Sequence, residues 1–213
     1  IDALYELLQR KYNLRLKTKD ASAQIHIRQV DFEHAYEDII AHTELPTQAD
    51  AAMLNFGIHY LAHDKTDHNK NLPIADLFKL VSHMIKAGGR FLITCFNGQA
   101  IFDLLKNTEE WATPDHKYSI KKAYSSKELA SLNQPIDVVL PFSGGMYYRE
   151  YLVNMDFLTA LAADHGFAVV ATDSFASMLR AFKKHNPKVY GQLSDADKEY
   201  SGLYSYVVFE KRA

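Results

Sequence analysis

The chain has 213 residues, 47% of them hydrophobic and 23% charged, which supplies one sizeable core and excludes a disordered tail. With 24 basic and 26 acidic residues the net charge is −2, which excludes a protein that coats nucleic acid indiscriminately but leaves room for a small selective pocket. A lone cysteine, Cys95, excludes a disulfide framework or a four-cysteine zinc site, and no apolar run approaches the ~20 residues of a membrane span.

The chain therefore reads as a soluble protein of a reducing compartment. It begins at Ile1 and has only 9 glycines, with no G-x-G or G-x-x-x-x-G-K loop among them. It is expected to be a piece of something longer, and any phosphate or cofactor loop is expected to be missing or unconventional.

Leu4, Leu7 and Leu8 recur at helical spacing and predict an amphipathic helix over 2–12. Ile25 to Val30 alternates as a short strand ending at Asp31. Ala51 to Phe56 is apolar without alternation, as a strand buried on both faces would be. A polar loop follows from His63 to Asn71. Pro73 suits the first turn of a helix running to Lys86, with Gly88 placed to stop it. Arg90 to Phe96 reads as a further buried strand, and Asn97 as the cap of a helix carrying Ile101, Phe102, Leu104 and Leu105. Strands alternating with helices predict an α/β fold, a mostly parallel sheet covered on both faces.

The pattern changes after Trp111. Lys117 to Tyr124, Ile136 to Phe142 and Met146 to Val153 alternate like antiparallel strands, the last two joined through Ser143-Gly144-Gly145. They are expected to form an insertion covering the sheet edge. Asn154 opens a helix that Gly166 stops, then Phe167 to Ala171 is a strand, Phe175 to Lys184 a helix, and Leu203 to Phe209 a closing strand.

Several candidate sites have plainer readings. His63, Asp64, Asp67 and His68 could hold a metal, but Lys65 lies among them and the spacing matches no zincin pattern, so a solvated loop is the better reading. Cys95 sits in an apolar strand and reads as a small buried hydrophobe, not a nucleophile. Ser143 lacks the first glycine of G-x-S-x-G and reads as part of a hairpin turn.

The strand ends are more informative, because ligands of open parallel sheets sit outside the carboxyl ends of the strands. Asp31 ends one strand, Asn55 to Tyr60 follows the next, and Asn97 the one after. In Met146 to Val153 one carboxylate, Glu150, stands among aromatics. It could accept from two N–H groups of a guanine edge, or equally form an exposed pair with Arg149.

Taken in order, Phe56-Gly57-Ile58-His59-Tyr60, Lys86-Ala87-Gly88-Gly89-Arg90-Phe91, Arg149-Glu150-Tyr151-Leu152-Val153, and Leu203-Tyr204 before Val208-Phe209-Glu210-Lys211 resemble the mRNA cap guanine-N7 methyltransferases. That family carries F-x-x-H-Y, P-G-G-x-F, E-[FY]-L-V and a tyrosine beside a closing F-E-K strand. The divergence resembles that of viral members. The resemblance covers essentially the whole chain and implies a class I methyltransferase (Rossmann-like) fold with an antiparallel last strand, its N-terminal part missing. It implies S-adenosylmethionine as methyl donor, no metal, and methyl transfer to N7 of the cap guanine.

Residues 1–213 would then be the C-terminal part of the methyltransferase domain without its glycine-rich cofactor loop, and an insertion over about 112–153 would form a cap-binding lobe. Position by position, the resemblance implies cofactor contacts from Asp31, Phe32, Asn55, Phe56 and Tyr60. Asn55 replaces the usual glutamine and is one methylene shorter. His59, Tyr60, Glu150 and Tyr204 would line the guanine pocket, and Arg10 or Lys11 would face the cap phosphates. None acts as acid or base, since guanine N7 has a free lone pair. The implied partners are a capped mRNA 5′ end and covalently linked triphosphatase and guanylyltransferase domains, with no membrane, and the implied location is the host cytoplasm. Two alternatives stay open: a methyltransferase acting on a small molecule or protein, and a non-catalytic module that binds capped ends or stimulates a partner.

Overall fold

The computed structural model describes residues 48–64, 72–140 and 142–213. The predicted helix over 2–12, the strand ending at Asp31, and the candidates Arg10, Lys11, Asp31 and Phe32 all lie outside the described residues.

Two four-stranded sheets organise the described chain. The first has the order β1 (Ala49–Asn55), β2 (Ile85–Phe96), β8 (Tyr204–Lys211), β7 (Phe167–Ser174). β1 and β2 are parallel and β8 is antiparallel to both its neighbours, so β1, β2 and β7 run one way and β8 alone opposes them. That is the expected topology, with the last strand reversed.

On one face lie α1 (Pro73–Met84) and α3 (Met155–Asp164). Phe78 of α1 is fully buried among Phe91, Phe167 and Phe209, with ring centroids 5.6 to 5.9 Å away, and this aromatic knot anchors the main core. α4 (Phe175–His185), α5 (Pro187–Tyr190) and α6 (Asp195–Gly202) connect β7 to β8. No described helix is long and apolar enough to cross a membrane.

β1 is not buried on both faces among the described residues. Ala52 and Leu54 pack on the core, while Ala51, Met53 and Asn55 point away and are exposed, because the described helices cover only one face at this strand. Nor does Gly88 stop a helix. α1 ends at Met84, Ile85 is already extended, and Gly88 sits inside β2 at φ 74°. There it bends the strand where pairing shifts from Ala49–Ile85 to Ala51–Arg90. Pairing with β1 outweighs the helix propensity of Lys86 and Ala87.

The second sheet comprises β3 (Glu110–Ala112), β4 (Ser119–Lys122), β5 (Pro135–Val139) and β6 (Tyr147–Tyr151), all antiparallel. β5 and β6 form the expected hairpin, with Gly144 and Gly145 at positive φ in its turn. The insertion expected to cover the sheet edge forms this separate sheet, which shares no strand pairing with the first. Ile120, Ile136 and Val138 instead pack onto Phe96 at the carboxyl end of β2 and onto Ile101, Phe102 and Leu105 of α2 (Gly98–Leu104) and the turn after it. Asn97 caps α2 as expected, accepting from the Ala100 N–H at 3.1 Å. Contact is close where the insertion returns: a Cβ on Gly98 would lie 2.3 Å from the Val153 carbonyl oxygen, so only glycine fits.

Candidate active site

The carboxyl ends of β1 and β2 and the start of β8 meet at one end of the first sheet, because β8 runs the other way and pairs Tyr204 with Phe96. Beyond β1 the chain turns sharply. Phe56 adopts φ 52°, an uncommon conformation for a residue with a side chain, while its N–H donates to the Thr94 carbonyl at 2.9 Å. A single 3₁₀ turn, Ile58–Tyr60, then buries Ile58 and His59 and leaves Tyr60 48% exposed.

β6 presents Glu150 to this turn. Strand alternation sends Arg149 outward, where its guanidinium bonds both oxygens of Asp137, and Glu150 inward to 2% exposure. The exposed Glu–Arg pair is therefore excluded.

His59 Nε2 lies 3.5 Å from Glu150 Oε1, too far for a good hydrogen bond. Both imidazole nitrogens and Glu150 Oε2 are buried without a partner. Burial raises the Glu150 carboxyl to about 7, with the nearby Tyr60 hydroxyl opposing the rise. Burial also lowers His59 to about 4, so it is neutral at neutral pH. Most buried polar groups are paired, so three bare atoms on two neighbouring side chains mark a place built for another molecule's donors and acceptors.

Aromatic rings surround this pair. Tyr60 lies edge-on to His59 with centroids 4.3 Å apart. Tyr204 stacks on Phe96 at 4.2 Å, meets Phe56 edge-on at 5.1 Å, and shares a hydroxyl–hydroxyl hydrogen bond of 3.0 Å with Tyr200. Burial pushes both the Tyr204 and Tyr200 phenols well above their usual range, so both stay protonated.

α6, which carries Tyr200, has no counterpart among the predicted elements, although Ser194-x-x-Asp197 is a capping-box pattern that signals a helix start. Asp197 also accepts from the Lys117 ammonium and from the Tyr118 hydroxyl at 2.8 Å, tying α6 to the second sheet. Those donors, Lys117 first, hold its carboxyl well below the usual range.

The structure thus brings His59, Tyr60, Glu150, Phe56 and Tyr204 to one end of the sheet. Asn55 is exposed beside them, its amide oxygen accepting from Thr94 Oγ1 at 3.1 Å. Cys95 is fully buried, and burial pushes its thiol up to about 12, which fits an inert core residue. Ser143 is buried in the hairpin turn, with Oγ accepting from the Leu140 N–H. Of the candidate metal loop, His63 and Asp64 are described and 65–68 are not; among the described residues no group of three His, Cys, Asp or Glu side chains could hold an ion.

No protein-family model matches the chain. An mRNA-capping enzyme of African swine fever virus (isolate Tick/South Africa/Pretoriuskop Pr4/1996) is 30% identical over 171 residues, 76% of this chain. The corresponding enzyme of isolate Pig/Kenya/KEN-50/1950 is 27% identical over 98% of this chain and 25% of its own length. A protein of Acanthamoeba polyphaga mimivirus, assigned as an mRNA-capping enzyme, is 28% identical over 70% of this chain and 13% of its own length. The chain spans about a fifth of the length of the first of these relatives.

Among solved structures, a Listeria monocytogenes protein assigned as an S-adenosylmethionine-dependent methyltransferase superposes with a TM-score of 0.53 at 13% identity, covering 95% of this chain and 76% of that one. The chain has the class I fold of S-adenosylmethionine-dependent methyltransferases, and it belongs with the viral mRNA-capping enzymes of African swine fever virus and mimivirus.

Proposed function

We propose that this chain is part of an S-adenosylmethionine-dependent methyltransferase that transfers a methyl group to N7 of the mRNA cap guanine. The observation that carries the reading is the buried Glu150–His59 pair with its unpartnered atoms at the carboxyl end of the sheet. Guanine presents adjacent N1–H and N2–H donors, and a carboxylate aimed at them accepts both in one plane. Tyr60 and Tyr204 would bound the base, and 112–153 would serve as the cap-binding lobe.

The residues present suit the methyl donor. Phe56 and Tyr60 leave aromatic surface exposed at the end of β1, and the left-handed turn at Phe56 is the kind of local strain kept where a ligand must be met. Asn55, Phe56 and Tyr60 would hold the donor, with Asp31 and Phe32 as further contacts. When bound, S-adenosylmethionine supplies an electrophilic methyl group on a sulfonium.

The protein's own residues then only position the acceptor. N7 carries a free lone pair, so no base is needed, and holding it in line can supply ~7–11 kcal/mol. Neutral His59 adds no positive charge beside the positive donor. Arg10 or Lys11 would neutralise the cap phosphates. Linked triphosphatase and guanylyltransferase domains, and action in the host cytoplasm, complete the proposal.

The test is Glu150→Ala in the intact protein, scored by N7 methylation of capped RNA. The reading expects activity to collapse while binding of the methyl donor persists. A near-normal rate would overturn it.

A further inference from the structure

Two open cavities of about 600 and 410 Å³ share Lys122, Tyr124, Ser125 and Ser126, and so form one continuous groove between the second sheet and α2. The larger runs on to Asn133 and Pro135; the smaller ends on Lys106 and Lys127. No carboxylate lines either part. Lys122 is paired with Glu109 at 3.0 Å, so the groove's unbalanced charge comes from Lys106 and Lys127, both exposed and without an ion pair among the described residues.

Tyr124 stands at the junction. One face of its ring stacks on Phe102 at 5.8 Å and 14°, and its hydroxyl is shielded from solvent with no partner. A groove lined by two exposed lysines without ion pairs among the described residues, and by a tyrosine whose hydroxyl lacks a partner, is suited to a ligand carrying phosphate and sugar oxygens. A small groove with one aromatic platform suits a short single strand better than a duplex.

The register ties this groove to the guanine site. Lys122 pairs with Ile136, and Ile136 with Glu150, so two strand spacings, roughly 10 Å, separate the backbone at Lys122 from that at Glu150. Asn133, in the groove wall, donates to Asp64 at 2.8 Å and accepts from the Asp64 N–H at 2.9 Å, which anchors it to the loop that follows Tyr60. We infer that this groove binds the first nucleotides of the RNA chain downstream of the cap. The identity of that strand rests on the function proposed above; the groove and its charge do not.

The experiment uses the intact protein and the double variant Lys106→Gln/Lys127→Gln, two exposed positions whose change leaves the guanine site untouched. Capped RNA carrying 4-thiouridine at its second to fourth nucleotides is crosslinked by light, and the labelled peptide is mapped. Crosslinks within 118–130 that fall at least fivefold in the double variant are expected; crosslinks mapping only elsewhere, or unchanged by the variant, overturn the inference. In parallel, kcat/KM for a capped 20-mer is expected to fall about fivefold while that for a cap dinucleotide stays constant, and the salt slope for RNA to lessen by ~1.4 for two phosphates. Equal loss on both substrates would overturn the groove. Absence of N7 methylation with the crosslink retained would overturn the function and leave the groove standing.

Discussion

Glu150→Gln should make the folded protein more stable at alkaline pH while disabling it. The carboxyl is 2% exposed, and burial moves it from 4.5 to about 7. Ionising it in the folded protein therefore costs ~3 kcal/mol more than in the unfolded chain. Because the folded-state value is the higher one, the folded state binds more protons between about pH 4.5 and 7, and wild-type stability is eroded as pH rises through that window.

His59 acts in the opposite sense. Lowered from 6.5 to about 4, it favours the folded state as pH rises across about 4 to 6.5. It is common to both proteins, so the difference between them isolates Glu150.

Glutamine keeps the shape and one carbonyl oxygen and cannot ionise. Its stability advantage should widen by ~2 kcal/mol between about pH 5.5 and pH 8.5, read from urea unfolding of both proteins at each pH. The same change removes a charge-assisted acceptor from the guanine edge and should lower kcat/KM for capped RNA by ~10- to 100-fold. A stability gap that does not change with pH would refute the claim that Glu150 is a desolvated carboxyl.

Wild-type kcat/KM for the cap should rise with pH through a midpoint near 7 and level off above about pH 8 as Glu150 ionises, and a profile flat between about pH 6 and 8 would contradict this. Tyr200→Phe deletes the hydroxyl that bonds Tyr204 and should raise the cap KM about fivefold, for ~1 kcal/mol, with the methyl donor's KM unchanged; an equal rise in both would reduce Tyr200 to a packing role. Gly98→Ala forces a methyl group against the Val153 carbonyl and should cost ~1–3 kcal/mol by denaturant melting, whereas a neutral result would show that the insertion can shift freely. Phe78→Ala empties the aromatic knot and should cost ~3–5 kcal/mol in the same measurement.

What the sequence determines by itself is local. Period and caps delimit α2, α3 and the β5–β6 hairpin, because Asn97, Asn154 and the glycines at 144, 145 and 166 act within a few residues of themselves. The order of four short motifs carries the family. Other features needed the fold. Whether Glu150 faces Arg149 or His59 depends on which face of β6 is buried, and neighbours in a strand point opposite ways.

Gly88 reads as a helix stop until β1 pairs across it and makes it a bend in β2. Tyr204 and Tyr200 are four residues apart, and only the turn from α6 into β8 brings their hydroxyls together. The perturbed carboxyl at the centre of the proposed site is likewise a tertiary property. Burial sets it, and burial of Glu150 comes from a turn about ninety residues earlier in the chain.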